Sequence, residues 1–321
     1  MLRLGLLSVL VCLAWARPAH AQFNCSAWVG PTMLFGTINL LDGGVADTSA
    51  PITYGCYSGS ATAALLCISI QPDQATLSYD PRYLATTNGD RLAFNLYKDA
   101  ARAQIAGSID SGTYTPLVIV QPMAPNEYRT WDVTIYGRIK AAGQEGLPTG
   151  WYNSNTIGGW PMKLSYKEYK EGMPLDCNTG MTVTPISTFY IEAIIQNECR
   201  IQAASTMNFG NQGTLLSGNV DTTSTITVFC NGTPYRVRLD NGLHASGNTR
   251  RMQGASGFIQ YDLYREPARQ PADRWGYDNG TDKTGTGNGQ SQDFTVYGRV
   301  PPQTAPGPGL YSDTITVTVT Y

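Results

Sequence analysis

The chain has 321 residues, which is enough for two domains of ordinary size, and its 22 basic and 24 acidic residues leave a formal net charge of −2. This balance provides no basic face for nucleic acid or anionic lipid, so we expect no nucleic-acid partner. The cysteines include no Cys-x-x-Cys pair and there are only two histidines, so neither a metal site nor a cofactor is expected.

The first 21 residues, MLRLGLLSVLVCLAWARPAHA, have the features of a secretory signal peptide. Arg3 precedes an apolar run at 4–16, and the tripeptide Ala-His-Ala at 19–21 is a typical cleavage site. The apolar run is too short to span a membrane. We therefore expect a secreted mature chain that begins at Gln22, with 20 basic against 24 acidic residues and a net charge of about −4.

The rest of the chain repeats one pattern, which indicates a duplicated domain. The motif Cys-x7-Met-x-Phe-Gly occurs at 25–36 and again at 199–210, and in each copy another cysteine follows the first by 31 residues. The sequence VTIYGRI at 133–139 matches FTVYGRV at 294–300. Matches that recur in the same order predict two copies of one fold.

Each copy is expected to be all-β. Short runs such as ITVFC, YRVRL and FIQYDLY are rich in Val, Ile, Thr and Tyr, and clusters of Gly, Asn, Asp and Pro separate them. Several short strands at this spacing predict a β-sandwich. We predict two tandem immunoglobulin-like β-sandwich domains, at 22–180 and 199–321, with 181–198 supplying the final strand of the first domain and the linker.

Six cysteines remain after the signal peptide, and an even number in a secreted chain predicts three disulfides. Equivalent cysteines of the two copies should pair alike, and the remaining two should form a pair specific to the first copy. Closing a loop of 31 residues contributes roughly 3–4 kcal/mol through the entropy of the unfolded chain. The expected pairs are Cys25–Cys56, Cys199–Cys230 and Cys67–Cys177.

The order of strands predicts which connections of the first domain lie far from the second domain. If successive strands run up and down, the connections after the first, third and fifth of them lie at one end. The last strand must run from that end to the linker, so this end is the free one. The predicted strands of the first copy are at about 51–57, 64–70, 91–97, 131–140, 151–169 and 182–195.

The connection at 98–130 contains TPLVIVQPMAP, an apolar run between prolines, whereas the corresponding segment at 265–292 is polar and rich in Gly. One interpretation is an additional strand that is buried or paired at a sheet edge. The other is an exposed loop that binds hydrophobic abiotic or cellular surfaces, since exposed apolar patches generally mark interaction sites. Met173, Pro174 and Leu175 would lie beside this loop. Its outward-facing residues would be Leu117, Val118, Ile119, Val120 and Met123.

The end of the second copy, SDTITVTVTY, predicts a strand with one apolar face. The first copy continues after its equivalent strand with TVTPISTFYIEAII, which can supply a last strand, but the second copy has no such continuation. Either the second sandwich ends on an ordinary edge strand, or it has a groove that accepts a strand from another chain. The side chains that would line this donor-strand groove are Ile315, Val317, Val319 and Tyr321.

The segments FGNQGTLLSGNVDTTSTITVFC, YDLYRE, FTVYGRV and PGPGLYSDTITVTVTY resemble the spore coat protein U domain family, closely over 199–321 and more loosely over 25–169. That family includes subunits of archaic, Csu-type chaperone–usher pili. Single-domain subunits of that kind have an N-terminal donor arm. Here Cys25 is only the fourth residue of the expected mature chain, and there are two domains. The resemblance therefore implies a two-domain tip adhesin that functions in cell adhesion and biofilm formation.

The same resemblance implies the partners of the chain and its route to the cell surface. A periplasmic chaperone would lend the missing strand, an outer-membrane usher would export the chain, and the next pilin subunit would finally donate its arm. The first domain would be the surface-binding domain at the tip of the fimbria. The second would be the pilin domain.

Three other classes of function would require different features of the sequence. An enzyme is not expected, because Asp and Glu are scattered and the one histidine of the mature chain, His244, lies in a loop-like sequence. A carbohydrate-binding adhesin would use aromatic side chains such as Trp151, Tyr152 or Trp160. A self-contained secreted coat protein would have two complete domains and no need of a chaperone.

Overall fold

A computed structural model of the chain describes residues 23–72, 76–158, 160–213 and 215–321. Within these ranges the regular structure is almost entirely β, interrupted by short 3₁₀ helices at Leu40–Asp42, Asn155–Ile157 and Pro271–Asp273. The expected signal peptide lies outside the described residues.

The first domain is formed by the strands that precede the linker. They are β1 (Asn24–Val29), β2 (Met33–Ile38), β3 (Val45–Tyr57), β4 (Ala63–Ile70), β5 (Arg82–Ala85), β6 (Arg91–Tyr97), β7 (Leu117–Pro122), β8 (Tyr128–Lys140), β9 (Gly150–Asn153), β10 (Trp160–Glu168), β11 (Thr182–Phe189) and β12 (Ile191–Ile195).

These strands form two facing sheets around one core. The larger sheet has eight strands in the order β1-β3-β8-β6-β5-β9-β12-β2, and the smaller has four in the order β11-β10-β4-β7. Strands β12 and β2 run parallel, whereas the other neighbours described below are antiparallel. Ile52 of the larger sheet and Leu66 and Leu164 of the smaller sheet are fully buried between them.

The alternation of side chains explains which faces are buried. In β8, Ile135 and Ile139 point into the core and alternate with partly exposed residues, as expected of a strand with one wet face. Strand β4 has the nearly continuous apolar sequence AALLCISI and is buried on both faces. Its Leu66 and Ile68 belong to the main core, whereas Leu65 lies in a separate small cluster on the outer face of the sheet.

Two of the predicted strands are each divided in the structure. The predicted strand at 151–169 consists of β9 and β10, separated by a 3₁₀ helix that ends at Gly158 with a φ of 88°. The predicted strand at 182–195 consists of β11, which pairs with β10, and β12, which pairs with β2 and β9. The chain therefore crosses from the smaller to the larger sheet at Tyr190.

The second domain repeats this arrangement with fewer strands. They are β13 (Cys199–Ala204), β14 (Leu215–Leu216), β15 (Val220–Cys230), β16 (Pro234–Leu239), β17 (Arg250–Gly254), β18 (Gly257–Tyr264), β19 (Lys283–Thr286), β20 (Ser291–Val300), β21 (Gln303–Thr304) and β22 (Val317–Thr320).

A five-stranded sheet, β13-β15-β20-β18-β17, faces a three-stranded sheet, β19-β16-β22, and β14 pairs with β21. Val228, Val237 and Trp275 are fully buried in the core of this domain. The prediction of two tandem β-sandwich domains is confirmed. Strand β16 is the equivalent of β4, and β22 is the equivalent of β10.

The three disulfides join the pairs that the repeat indicates. Cys25–Cys56 and Cys199–Cys230 connect directly paired positions of neighbouring strands, with a Cα–Cα distance of 4.1 Å in each case. Cys67–Cys177 instead connects β4 to the segment between β10 and β11. This third bridge closes a loop of 110 residues and belongs to the first domain alone.

The second domain contacts the end of the first domain that contains residues 141–149. The Gly232 N–H donates to the Leu147 carbonyl at 3.1 Å. Asn231 is fully buried, donates Nδ2 to the Gln196 carbonyl at 2.7 Å and accepts from the Glu198 N–H at 3.2 Å. These hydrogen bonds hold the linker against the second domain.

The repeated Tyr-Gly-Arg motif has the same role in both domains. Arg138 donates two hydrogen bonds of 2.7 Å to Asp47, and Arg299 donates two of 2.8 Å to Asp221. These bonds lower the pKa of both aspartates from the ordinary value. Each pair ties two central strands together, β3 to β8 and β15 to β20.

The glycine of this motif makes room for the repeated Met-x-Phe. A Cβ atom at Gly137 would lie 2.8 Å from the Met33 sulfur and from the Phe35 ring. At Gly298 it would overlap the sulfur of Met207. In each domain the Tyr-Gly-Arg motif and the Met-x-Phe motif are therefore packed against each other, which explains why both motifs occur in both copies.

We expect Gly298→Ala to lower the free energy of unfolding of the second domain by about 1–3 kcal/mol, because the added methyl group displaces Met207. Gly218→Ala is the matched control, since nothing lies within 4 Å of its Cβ position. Urea unfolding of both variants measures the difference. Equal stability of the two variants would contradict the packing role of Gly298.

Candidate functional site

The long antiparallel pair β3–β8 shows which end of the first domain is free. Val45 pairs with Lys140 beside the segment 141–149 that contacts the second domain. At the other end of the same pair Tyr57 lies opposite Tyr128. We call this other end the distal end.

The distal end is built from the connections 58–62, 123–127 and 169–181. The first two directly adjoin the ends of β3 and β8. The third joins them because the Tyr169 N–H donates to the Ala63 carbonyl at 2.9 Å. The first and the last are connections that the strand order predicts at the free end. Of the predicted connection at 98–130, only the part after β7 lies there, because the Ile70 N–H donates to the Gly107 carbonyl and β7 then runs along β4 to the distal end.

A buried serine holds two of these connections together. The Ser58 hydroxyl donates to the Ala124 carbonyl at 2.6 Å and accepts from the Glu127 N–H at 3.0 Å. The Asn126 N–H donates to the Gly59 carbonyl at 2.6 Å. The connections therefore form one hydrogen-bonded unit.

The segment TPLVIVQPMAP forms the edge strand β7 and not a loop. Leu117 is buried, and Ile119 and Met123 pack against the core, so the prediction that these side chains face outward is wrong. Val118 and Val120 are exposed, by 43% and 38%. Buried and exposed side chains alternate because β7 pairs with β4, so that every second side chain of β7 faces the core.

Other apolar side chains are exposed at the distal end. Met173 and Leu175 are 39% and 56% exposed, and Tyr128 is 54% exposed. Pro122 and Pro125 are exposed at the same end of the domain. No periodic pattern in the sequence identifies Tyr128 as an exposed residue of this end. The sequence signal that could have identified it is its position directly after the Pro-Asn-Glu turn.

The third disulfide supports the connection 169–181. Cys177 lies near the middle of this connection and is bonded to Cys67 on the outer face of β4. The bridge packs with the fully buried Leu65 and with Tyr169 and other partly buried residues in a small apolar cluster. A long connection without regular structure is thus attached to the sheet at a point close to Met173 and Leu175.

The second domain has an open groove beside β22. This strand pairs with β16, and no other described strand lies along its second edge. Ile315, Val317 and Val319 face the core but are only partly buried. The equivalent side chains of β10, which lies between β4 and β11, are covered, with Met162 at 2% and Leu164 at 0% exposure.

The opposite rim of this groove is β13. Its Ile201 is 39% exposed, whereas the equivalent Ala27 of β1 is 9% exposed because β11 packs against β1. Tyr321, the last of the four predicted groove residues, is 50% exposed. The second domain therefore has an uncovered core surface where β11 lies in the first.

The segment that leads into β22 is anchored by a buried carboxylate. Asp313 accepts a hydrogen bond of 2.8 Å from the Tyr261 hydroxyl and one of 3.1 Å from the His244 N–H. The His244 Nδ1 atom lies 3.0 Å from the same carboxylate. Burial and the contact with Asp313 raise the pKa of Tyr261. His244 thus holds one end of the groove in place.

Two of the aromatic residues suggested for sugar binding, Trp151 and Tyr152, point to opposite faces of β9. Trp151 is 55% exposed on β9, but Tyr152 is fully buried and donates its hydroxyl to the Pro148 carbonyl at 2.8 Å. The side chain of Trp160 lies outside the described residues.

Among the residues described, no group of His, Cys, Asp or Glu is arranged to hold a metal ion. None of the helices in the described ranges has the length and the apolar character that a membrane span requires.

The model of the Spore Coat Protein U domain family matches residues 11–157 and 186–318, which covers most of both domains. The chain belongs to this family. The resemblance seen in the repeated motifs is confirmed, and each match corresponds to one copy of the repeat. No curated protein matches the chain.

Two solved structures match nearly the whole chain at low sequence identity. The CsuC–CsuE chaperone–tip adhesion subunit complex of Acinetobacter baumannii contains a chain that is 17% identical, with a TM-score of 0.45 over 93% of this chain and 100% of that chain. The CupB6 tip adhesin of Pseudomonas aeruginosa is 13% identical, with a TM-score of 0.38 over 93% of this chain and 94% of that chain.

Removing the bridge between Cys67 and Cys177 should loosen the distal end. We expect Cys67→Ala/Cys177→Ala to lower the free energy of unfolding of the first domain by about 4–5 kcal/mol, given the long loop that it closes. Tryptic cleavage after Lys170, which is exposed in the connection 169–181, should become faster. Cys25→Ala/Cys56→Ala is the control, since that bridge does not touch this connection. Equal cleavage rates in the two variants would contradict the supporting role.

Proposed function

We propose that the chain is the tip adhesin subunit of a chaperone–usher pilus, exported through the periplasm to the cell surface. The observation that carries the proposal is the difference between the two domains: β11 covers β10 in the first, and no described strand covers β22 in the second. Membership of a family that includes pilus subunits supports it.

The groove is suited to an extended strand with alternating apolar side chains. Such a strand would pair with the free edge of β22 and cover Ile315, Val317 and Val319. Full burial of a side chain of this size contributes about 1.5–3 kcal/mol, before the entropy lost on binding is subtracted. An uncovered edge of this kind otherwise promotes aggregation. A periplasmic chaperone would therefore occupy the groove first, and the arm of the next pilin subunit would replace it after export by the usher.

The distal end is suited to attachment through apolar contact. Met173 and Leu175 are exposed on the connection that the third disulfide attaches to the smaller sheet, and Tyr128 is exposed at the start of β8, next to the connection that Ser58 holds. Because these connections are already ordered, little conformational entropy is lost when they meet a surface. We propose that they bind hydrophobic abiotic or cellular surfaces and so initiate biofilm formation. No part of this proposal requires a catalytic residue.

A carbohydrate-binding adhesin is the second candidate. The observation that favours it is Trp151, which is 55% exposed beside Ile194 on the outer face of the larger sheet. Exposed tryptophan rings commonly present an apolar face with a polar edge. Inhibition of attachment by a sugar favours this site, and inhibition by a mild detergent favours the distal end.

The groove is tested by supplying the missing strand within the same chain. We fuse residues 169–189, with Cys177→Ser, after Tyr321 of the segment 199–321. The fused protein should unfold cooperatively and at a higher temperature than the unfused segment, because β11 takes the place of a donated strand. The control carries Ile186→Asp, which places a charge where β11 has a buried side chain. If the unfused segment unfolds as cooperatively as the fusion, the second domain is already complete and the pilin assignment loses its support.

The distal end is tested by attachment to a hydrophobic surface. We expect Met173→Ser/Leu175→Ser to reduce attachment of piliated cells to polystyrene at least about tenfold, because two apolar contacts are lost. Leu310→Ser is the control, since Leu310 is 87% exposed on the second domain. Both variants should reach the surface at the normal level, which antibody labelling verifies. Normal attachment of the double variant would contradict the distal site and leave the groove unaffected.

A further inference from the structure

Strand β7 has backbone groups that point away from its sheet. It is the last strand of the order β11-β10-β4-β7. The Met123 N–H donates to the Thr62 carbonyl at 2.8 Å, and in an antiparallel pair the residues that bond to the neighbour alternate with those that do not. The N–H and C=O groups of Val118 and Val120 therefore face outward. No hydrogen bond joins either N–H to another described residue.

The equivalent edge in the second domain is protected. Strand β19 pairs with β16 as β7 pairs with β4, and its sequence is KTGT. Lys283 forms an ion pair of 2.7 Å with Glu266 at this edge. Charged residues and glycine on an edge strand discourage pairing with another strand. Strand β7, LVIVQP, contains neither a charged residue nor a glycine. The same edge is therefore protected in the second domain and open in the first.

Two prolines limit the open edge symmetrically. Pro116 and Pro122 each lie three residues from Ile119. Both are an even number of residues away from Val118 and Val120, so an N–H at either position would also point outward. A proline lacks that N–H, so pairing along this edge stops at both of them. The available edge is therefore the short uncharged segment 117–121, centred on Ile119.

We propose that this edge pairs with the same edge of a second copy of the chain, antiparallel, with the two-fold axis at Ile119. In that register Val118 faces Val120 of the second copy, which gives about four backbone hydrogen bonds. Pro116 of each copy faces Pro122 of the other copy. Because neither residue has a backbone N–H, no N–H at these positions is left without an acceptor. The occupant is inferred to be a second copy because a segment without charge and with symmetric limits is complementary to itself.

The side chains agree with this pairing. Val118 and Val120 lie on the outer face of the smaller sheet, beside Leu65 and Cys67 of β4. In the pair, the exposed valines of the two copies would cover one another. The contact is smaller than that of a stable dimer, so we expect it to be weak and to matter where many copies meet at high local density. It involves only the first domain and does not depend on the proposed function.

Disulfide trapping in the full-length protein tests the register. Ile119 would face Ile119 of the second copy at a position without direct backbone hydrogen bonds, where Cα atoms are about 4.5 Å apart. The native Cys25–Cys56 bridge joins directly opposite residues in this way, at 4.1 Å. We expect Ile119→Cys to form a covalent dimer under mild oxidation, seen on a non-reducing gel and mapped by mass spectrometry.

Two further variants separate this contact from non-specific association. Thr284→Cys places an exposed cysteine on the equivalent edge of the second domain and should cross-link at least about tenfold more slowly. Because both proteins have the same open groove, association through the groove affects them equally. Adding Val120→Lys to Ile119→Cys places like charges in the pair and should slow cross-linking by a similar factor. Equal rates for Ile119→Cys and Thr284→Cys, or no effect of the lysine, would overturn the proposal.

Discussion

The arrangement of this protein depends on one constraint: in a β-sandwich, the apolar core between the two sheets must be covered along its whole length. The first domain meets this constraint within its own chain, because β11 lies beside β10 and against β1. In the second domain no described strand does so, and Ile315, Val317 and Val319 remain partly exposed. The same scaffold thus has a closed form and an open form, and the proposed division of labour between the domains follows from that difference.

The other features of the chain stabilise this scaffold or modify its ends. The Arg–Asp pairs and the glycine packing of the Tyr-Gly-Arg motif recur because both domains have the same central strands. The third disulfide has no counterpart in the second domain, and it attaches a long connection at the distal end. Conserving stability at the centre and varying the ends is a common way for a β-sandwich to acquire a binding function.

Edges are also where sequence patterns are hardest to interpret. The segment TPLVIVQPMAP is compatible with a loop or with a strand, because its prolines lie at positions that suit both. The structure makes it β7, with Leu117 and Ile119 inward and Val118 and Val120 outward. The periodicity of the predicted strand at 182–195 likewise gives no sign that β11 and β12 join different sheets. Both differences arise from long-range pairing, which a local pattern does not encode.

The sequence by itself determined the duplication, the all-β class, the pairing of cysteines and the family. These properties follow from local residue patterns and from comparing one copy with the other, so they need no knowledge of packing. Only the tertiary structure decided which side chains of β7 face outward, that Met173 and Leu175 are exposed at the distal end, and that His244 anchors the segment before β22. Exposure and proximity depend on residues that are far apart in the chain, such as the pairing of β4 with β7 across about 50 residues of sequence.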